Sequence, residues 1–134
     1  MPFLVDTNII ADVLTDDPRW REWSQDQLEA RRSEGLAINP VVFAELSIPA
    51  ADVAEVEDVL GQFELELWEI PRAALFSAGK AFARYRAKGG TRSAPLPDFF
   101  IGAQAEALSV PLITRDPSRY RTYFPRVELI APKA

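Results

Sequence analysis

Four carboxylates stand where an apolar strand hands over to a helix or within an apolar helical stretch. They are Asp6 in Phe3-Leu4-Val5-Asp6-Thr7-Asn8, Glu45 in Val41-Val42-Phe43-Ala44-Glu45-Leu46, Asp98 in Leu96-Pro97-Asp98-Phe99-Phe100-Ile101, and Asp116 in Leu112-Ile113-Thr114-Arg115-Asp116. The chain contains neither histidine nor cysteine. A histidine base, a cysteine nucleophile and a structural zinc site are thereby excluded. Serine and threonine have no histidine to activate them, and neither a Gly-x-Ser-x-Gly elbow nor a phosphate-binding glycine loop is present. Oxygen-ligand chemistry is what remains. Hard carboxylate oxygens suit Mg²⁺ or Mn²⁺, ions that keep several waters and take only a few protein carboxylates. Such an ion activates water and steadies the charge on a phosphodiester. Without it, neighbouring carboxylates repel one another and at least one takes up a proton.

Each acid also has a plainer reading. Asp6 and Asp116 sit where caps belong, and Asp116 precedes Pro117, a favoured arrangement at a helix start. Asp98 would be a first-turn acid facing the helix dipole, an effect of only about 0.3–1 kcal/mol. Glu45 resists such an account best, because Val41, Val42, Ile48 and Pro49, three and four residues away, are all apolar. An ionised carboxylate on an apolar face is costly unless a charge or hydrogen bonds compensate it. Asp98 shares that feature, with Ile101, Gly102 and Ala105 on its face.

The elements that must position these acids alternate strand and helix along one domain of 134 residues. Buried strands are expected at Phe3–Asp6 and Leu36–Asn39, an alternating edge strand at Leu65–Ile70, and further strands at Val110–Thr114 and Val127–Ile130. Helices are expected from Asn8 to Leu14, from about Pro18 to Glu34, from Asn39-Pro40 through Glu45, from Ala51 to Gln62, from Pro71 to about Lys88, and from Pro97 to Leu108. In the Pro71 helix the apolar residues at helical spacing are Leu75, Phe76, Phe82 and Ala83. Residues 89–95 read as a loop, and the segment after Asp116 as a turn. Strands separated by helices imply a parallel α/β sheet covered on both faces, with ligands at the carboxyl ends of its strands. Asp6 and Asp116 fall there.

Charge is divided unevenly. Residues 1–69 hold 16 Asp/Glu against 4 Lys/Arg, a balance of −12, whereas residues 70–134 hold 4 against 11, a balance of +7. Arg72, Lys80, Arg84, Arg86, Lys88 and Arg92 follow one another with no acid between Glu69 and Asp98. This asymmetry points to an anionic partner on one side and a cationic one on the other, or else to a solvated helix face. Trp20 and Trp23 read as packing residues. Tyr120, Tyr123 and Phe124, set among Arg119, Arg121 and Arg126, suit either single-stranded nucleic acid or the anchoring of a C-terminal turn, the plainer account. No apolar run approaches the roughly 20 residues of a membrane span. The N-terminus lacks a basic n-region, so no signal peptide is expected. Absence of cysteine is compatible with the cytoplasm, the expected location.

Taken in order, Val5-Asp6-Thr7-Asn8, Val42-Phe43-Ala44-Glu45-Leu46, Leu96-Pro97-Asp98-Phe99-Phe100-Ile101-Gly102-Ala103 and Thr114-Arg115-Asp116 resemble a PIN domain. More narrowly the chain is similar to the VapC-type ribonuclease toxins of toxin–antitoxin modules, over essentially its whole length. The resemblance implies a three-layer α/β/α fold with a mainly parallel central sheet. It implies that Asp6, Glu45, Asp98 and Asp116 converge on Mg²⁺ or Mn²⁺, so that a metal-activated water attacks an RNA phosphodiester. Asn8 and Thr114 would orient the carboxylates or waters. RNA phosphates would meet Lys80, Arg84, Arg86, Lys88, Arg92 and Arg115. A homodimer or larger toxin–antitoxin assembly, with the antitoxin blocking the site, is also implied.

One departure stands out. Some relatives carry a further acid shortly after the fourth carboxylate, where this chain has Ser118 and Arg119, so one firmly bound ion is expected. Other readings compete. An aspartyl-phosphate phosphatase requires Asp-x-Asp after the first strand, and Asp6-Thr7-Asn8 does not supply it. A response-regulator receiver requires an acidic pair at that place. A non-catalytic RNA- or protein-binding module leaves Glu45 without a purpose. A DNA- or structure-specific nuclease of the same fold is the nearest alternative.

Overall fold

In the computed structural model, residues 1–90 and 96–133 are described. Arg92, one of the expected RNA contacts, lies outside them. Five short strands, β1 (Phe3–Val5), β2 (Leu36–Ile38), β3 (Leu65–Leu67), β4 (Leu112–Ile113) and β5 (Leu129–Ile130), form one sheet in the order β3-β2-β1-β4-β5. Every pairing is parallel, with Leu4 opposite both Ala37 and Leu112. Parallel strands need crossover connections, and α1 (Thr7–Leu14), α2 (Arg21–Arg31), α3 (Pro40–Ser47), α4 (Val53–Phe63), α5 (Arg72–Ala87), α6 (Leu96–Leu108) and α7 (Ser118–Tyr123) supply them. Helices flank the sheet, which accounts for the uniformly apolar Phe3-Leu4-Val5 and Leu36-Ala37-Ile38 runs, buried throughout. This is the α/β architecture expected from the alternation of elements.

Some expectations are corrected. Residues 18–20 are not helical, because the Asp17 carboxylate accepts the backbone N–H of Arg19 at 2.9 Å and of Trp20 at 2.8 Å. That local cap ties the chain into a turn and delays α2 to Arg21. On α5 the buried stripe is Ala74, Ala78 and Ala81, while Leu75 and the 68% exposed Phe76 face outward. The small stripe lets α5 lie close against α6, leaving Phe82 and Tyr85 to pack on Phe99. The stretch after Asp116 is a helix, not a turn. Tyr120 and Phe124 are drawn inward from it, and Phe124 lies so close to α6 that a Cβ on Gly102 would come within 2.4 Å of its ring.

Strand β3 is the sheet edge, as its alternation implied, but it stops at Leu67. The pairing runs one residue further, with Trp68 donating its N–H to the Ile38 carbonyl at 2.8 Å. Helix α6, with β1, β2 and β4, contributes much of a core to which the other helices also add residues. Phe99, Ile101, Gly102, Ala103, Gln104 and Ala105 are all buried, so Asp98 emerges from the first turn of a helix whose middle is enclosed.

Candidate active site

Asp6 follows the last residue of β1, in the middle of the sheet, and is only 4% exposed. Its Oδ1 accepts the Thr7 N–H at 2.8 Å, which makes it the cap of α1. Its Oδ2 accepts hydroxyls from Thr114 and Tyr120, both at 2.8 Å, and a long contact from Asn8 Nδ2 at 3.5 Å. Burial, and after it the negative charge of Asp98, push the Asp6 carboxyl up to about 7, against the pull of those donors.

Glu45 rides on α3, whose start is fixed by Asn39 Oδ1 accepting the Val42 N–H at 2.9 Å. Its Oε1 accepts the Thr7 hydroxyl at 2.7 Å, joining α3 to the start of α1. Of the apolar flank read from the sequence only Val42 is buried. Helix α3 packs inward through Val42 and Leu46, one turn apart, and Ile48 is 83% exposed. Glu45 is therefore half-buried at an open edge.

Asp98 Oδ2 accepts from Arg119 Nη1 at 2.9 Å, and that guanidinium lies over the Tyr85 ring. Burial raises the Asp98 carboxyl, Arg119 opposes the rise, and Glu45 adds to it. Asp116 is the outermost acid, with a side chain 70% exposed. Asn8 Nδ2 reaches its Oδ2 at 3.3 Å, so one amide spans Asp6 and Asp116. Asp116 does not cap α7, which starts at Ser118 with Pro117 in the cap position and no side-chain cap. The Thr114 hydroxyl donates to Asp6 and accepts the Asp116 N–H at 3.1 Å.

The donor set fits a hard cation. It is oxygen-only, its most buried member is raised to about 7, and the charge of Asp98 raises Asp6 while that of Glu45 raises Asp98. Among the described residues no three acids close around a common point tightly enough to enclose an ion. A Mg²⁺ or Mn²⁺ ion, held through one or two carboxylates and waters, requires no such cage.

A PIN domain model matches residues 3–125, nearly the whole chain. The chain belongs to the PIN-domain family. Solved structures similar to this PIN domain include VapBC2 from Rickettsia felis bound to a DNA fragment from their promoter, at 21% identity, 98% coverage of both chains and a TM-score of 0.72. VapBC-1 from nontypeable Haemophilus influenzae is similar at 17% identity, 98% coverage of both and a TM-score of 0.70. FitAcB from Neisseria gonorrhoeae is similar at 18% identity, 96% coverage of both and a TM-score of 0.69. No curated protein sequence matches the chain. At such identities the likeness to the solved structures is one of fold.

The remaining residues of this PIN domain divide by position. Lys80, Arg84, Arg86 and Lys88 are exposed on α5. Lys88 lies over the Tyr123 ring beside α7. Lys80 and Arg84 line a hollow with Glu106, about two turns along α6 from Asp98. Arg115 is committed elsewhere: Nε and Nη2 meet the two oxygens of Asp12 at 2.9 and 3.0 Å, and its backbone N–H binds Asn8 Oδ1 at 3.2 Å. Asp12 is 2% exposed and also accepts the Ser24 hydroxyl at 2.7 Å.

Sequence reasoning missed Thr7, Asp12, the tie between Arg119 and Asp98, and the hydroxyl of Tyr120. Only Thr7, adjacent to Asp6, carried a local signal. Tyr120 was read as an anchor, and it is one, but its hydroxyl points at Asp6. Burial and the charges of Asp6 and Asp98 hold its phenol well above the usual range, so it stays a donor.

Proposed function

We propose that this PIN domain is an Mg²⁺- or Mn²⁺-dependent endoribonuclease and the toxin of a toxin–antitoxin pair. The observation that carries the reading is the coupled acid set at the carboxyl end of the parallel sheet, with Asp6 buried and raised to about 7 by desolvation and by Asp98. Of Asp6, Glu45, Asp98 and Asp116, one or two would hold the ion directly and the others through its waters. When bound, it supplies an activated water and neutralises charge on the scissile phosphodiester.

The chain's own residues do the rest. Thr114 and Tyr120 fix the Asp6 carboxylate by donating to one of its oxygens, and Thr7 fixes Glu45. Asn8 keeps Asp6 and Asp116 in register. With its carboxyl raised to about 7, Asp6 is about half-protonated at neutral pH, and a cation held there would compete with that proton. Arg119 offsets part of the negative charge at Asp98 and leaves a need for one divalent ion. RNA as substrate is supported by the basic C-terminal half. An antitoxin partner is supported by the fold shared with VapBC and FitAcB structures.

Cleavage of total RNA by the purified protein, with Mg²⁺ or Mn²⁺, beside EDTA and an Asp98→Asn variant, tests the reading. Metal-dependent cutting that the variant loses is the expected result. Wild type and variant equally inert on RNA, with the fold intact, would remove the nuclease assignment. Cutting confined to DNA would favour the DNA-directed alternative.

A further inference from the structure

A hollow of about 390 Å³ opens beside Asp116, lined by Arg19, Trp20, Arg115, Pro117, Arg121 and Lys133 among others, with no acidic residue in its wall. Its volume lies in the range of small-ligand sites, roughly 300–1,000 Å³. The indole of Trp20 is half-buried, braced by Trp23 at 6.3 Å between ring centroids. The Arg19 guanidinium lies 4.8 Å from its ring centre and that of Arg115 5.7 Å. Asp12 grips Arg115 on both nitrogens, which holds this cation in place between the indole and Asp116, 3.7 Å from the Asp116 carboxylate. Among the described residues Arg19, Arg121 and Lys133 form no ion pair. A hollow of about 460 Å³ at the other end of the sheet differs in kind: it contains Glu106 and Glu128 and none of the four acids.

A braced aromatic face, apolar prolines and unpaired cations together match what a nucleotide presents, a flat base and an anionic phosphate. We propose that this hollow is a subsite for one nucleotide of single-stranded RNA next to the scissile phosphodiester, with the base against Trp20 and the phosphate among Arg19, Arg121 and Lys133. The assignment rests on the ribonuclease reading above and adds to it a second basic surface, distinct from α5. Trp20 then serves packing and recognition at once, and the Asp12–Arg115 pair is the strut that keeps the hollow open toward Asp116.

The test is fluorescence anisotropy of a short fluorescein-labelled single-stranded RNA with the full-length protein in EDTA, over a series of salt concentrations. Arg121→Gln, on an exposed position, is expected to weaken binding several-fold at low salt and to reduce the salt slope by about 1. Arg126→Gln, the same charge change at the opposite hollow, leaves both unaltered. Trp20→Ala is expected to weaken binding about tenfold. Trp20→Phe, which keeps a ring, recovers most of the loss and controls for packing, and a Mn²⁺ titration of each variant reports an undisturbed carboxylate site. If wild type binds and cuts RNA while Arg121→Gln and Trp20→Phe bind as wild type does and Trp20→Ala also binds unchanged, the subsite is refuted and the ribonuclease stands. If binding of poly-L-glutamate is lost in these variants with RNA binding intact, the hollow belongs to an acidic polypeptide and the proposal falls. If wild type neither binds nor cuts RNA, the ribonuclease reading fails and takes the subsite with it.

Discussion

Replacing Asp6 by asparagine in the metal-free protein is expected to change the sign of its effect on stability with pH. The Asp6 carboxyl is raised from 3.8 to about 7, chiefly by burial. Between those values the folded chain keeps a proton that the unfolded chain has lost, so stability declines as pH climbs through the window and levels off above it. Relative to the protonated state, that loss amounts to about 1 kcal/mol at pH 4.5 and about 4 kcal/mol at pH 8, at 1.36 kcal/mol per unit. Asp6→Asn cannot ionise and escapes it. The substitution has a local cost, because three donors converge on the carboxylate, from the Thr7 N–H and the hydroxyls of Thr114 and Tyr120. An amide oxygen can keep the Thr7 N–H while the two hydroxyls rotate to accept from the amide nitrogen, at a cost of about 2 kcal/mol.

The variant should thus be about 1 kcal/mol less stable than wild type at pH 4.5 and about 2 kcal/mol more stable at pH 8. The latter is roughly 6–10 °C in Tm for a domain of this size. Thermal unfolding in EDTA, followed by circular dichroism, reads both. The gap between the curves widens by about 3 kcal/mol whatever the local cost, since that cost is common to both pH values. Curves that run parallel across this range would refute the burial argument for Asp6. Addition of Mn²⁺ at pH 8 should reverse the order, since only wild type retains the carboxylate for the ion.

Three further perturbations probe the neighbouring residues. Tyr120→Phe removes a hydroxyl that favours ionised Asp6, so the Asp6 carboxyl rises further and Mn²⁺ binding at pH 7 weakens about tenfold; calorimetric titration at pH 7 reads it, and an unchanged affinity contradicts it. Arg119→Gln takes a cation away from Asp98 and should tighten Mn²⁺ binding at pH 8 by about threefold to tenfold, a modest factor because this pair is partly exposed; weaker binding would mean that Arg119 assists the ion. Arg115→Met strands a buried Asp12 and should cost about 3 kcal/mol in urea unfolding, with part of it recovered when Asp12→Asn is added; a loss under 1 kcal/mol would show the pair to be dispensable.

The alternation of apolar strands and helices was legible because parallel strands buried on both faces must read as short apolar runs, and Phe3-Leu4-Val5 and Leu36-Ala37-Ile38 do. Positions at strand ends were legible too, so Asp6 and Asp116 could be placed on the right edge of the sheet. Side-chain direction was not. Helical spacing marks Leu75 and Phe76 as apolar but does not reveal that three alanines on another stripe of α5 would win the inner face, since close approach to α6 favours small residues there. Glu45 looked enclosed because its neighbours are apolar, yet Ile48 is exposed on an eight-residue surface helix. Partners distant in sequence left no trace at all: Tyr120 reaches Asp6 across 114 positions, and Arg115 reaches Asp12 across 103. Local pattern encodes the elements, whereas the hydrogen bonds that hold the acids arise only when α1, β4 and α7 meet.

Charge is what ties the site to the rest of the chain. Among the described residues the four acids meet one arginine that is salt-bridged to them without another carboxylate partner, Arg119, because the guanidinium of Arg115 is held mainly by Asp12. The cluster is left with an excess of about three negative charges when all its acids are ionised, and folding buries part of that excess, as the raised carboxyls of Asp6 and Asp98 record. A carboxylate in the place of Arg119 would deepen the excess, whereas the arginine there reduces it. The same arithmetic explains why apolar burial and function pull against each other at Asp6. The residue sits at the centre of the sheet, where a leucine would stabilise the fold, and it is tolerated there because Thr7, Thr114 and Tyr120 offer it hydrogen bonds and because, on the proposed reading, a cation completes what they begin.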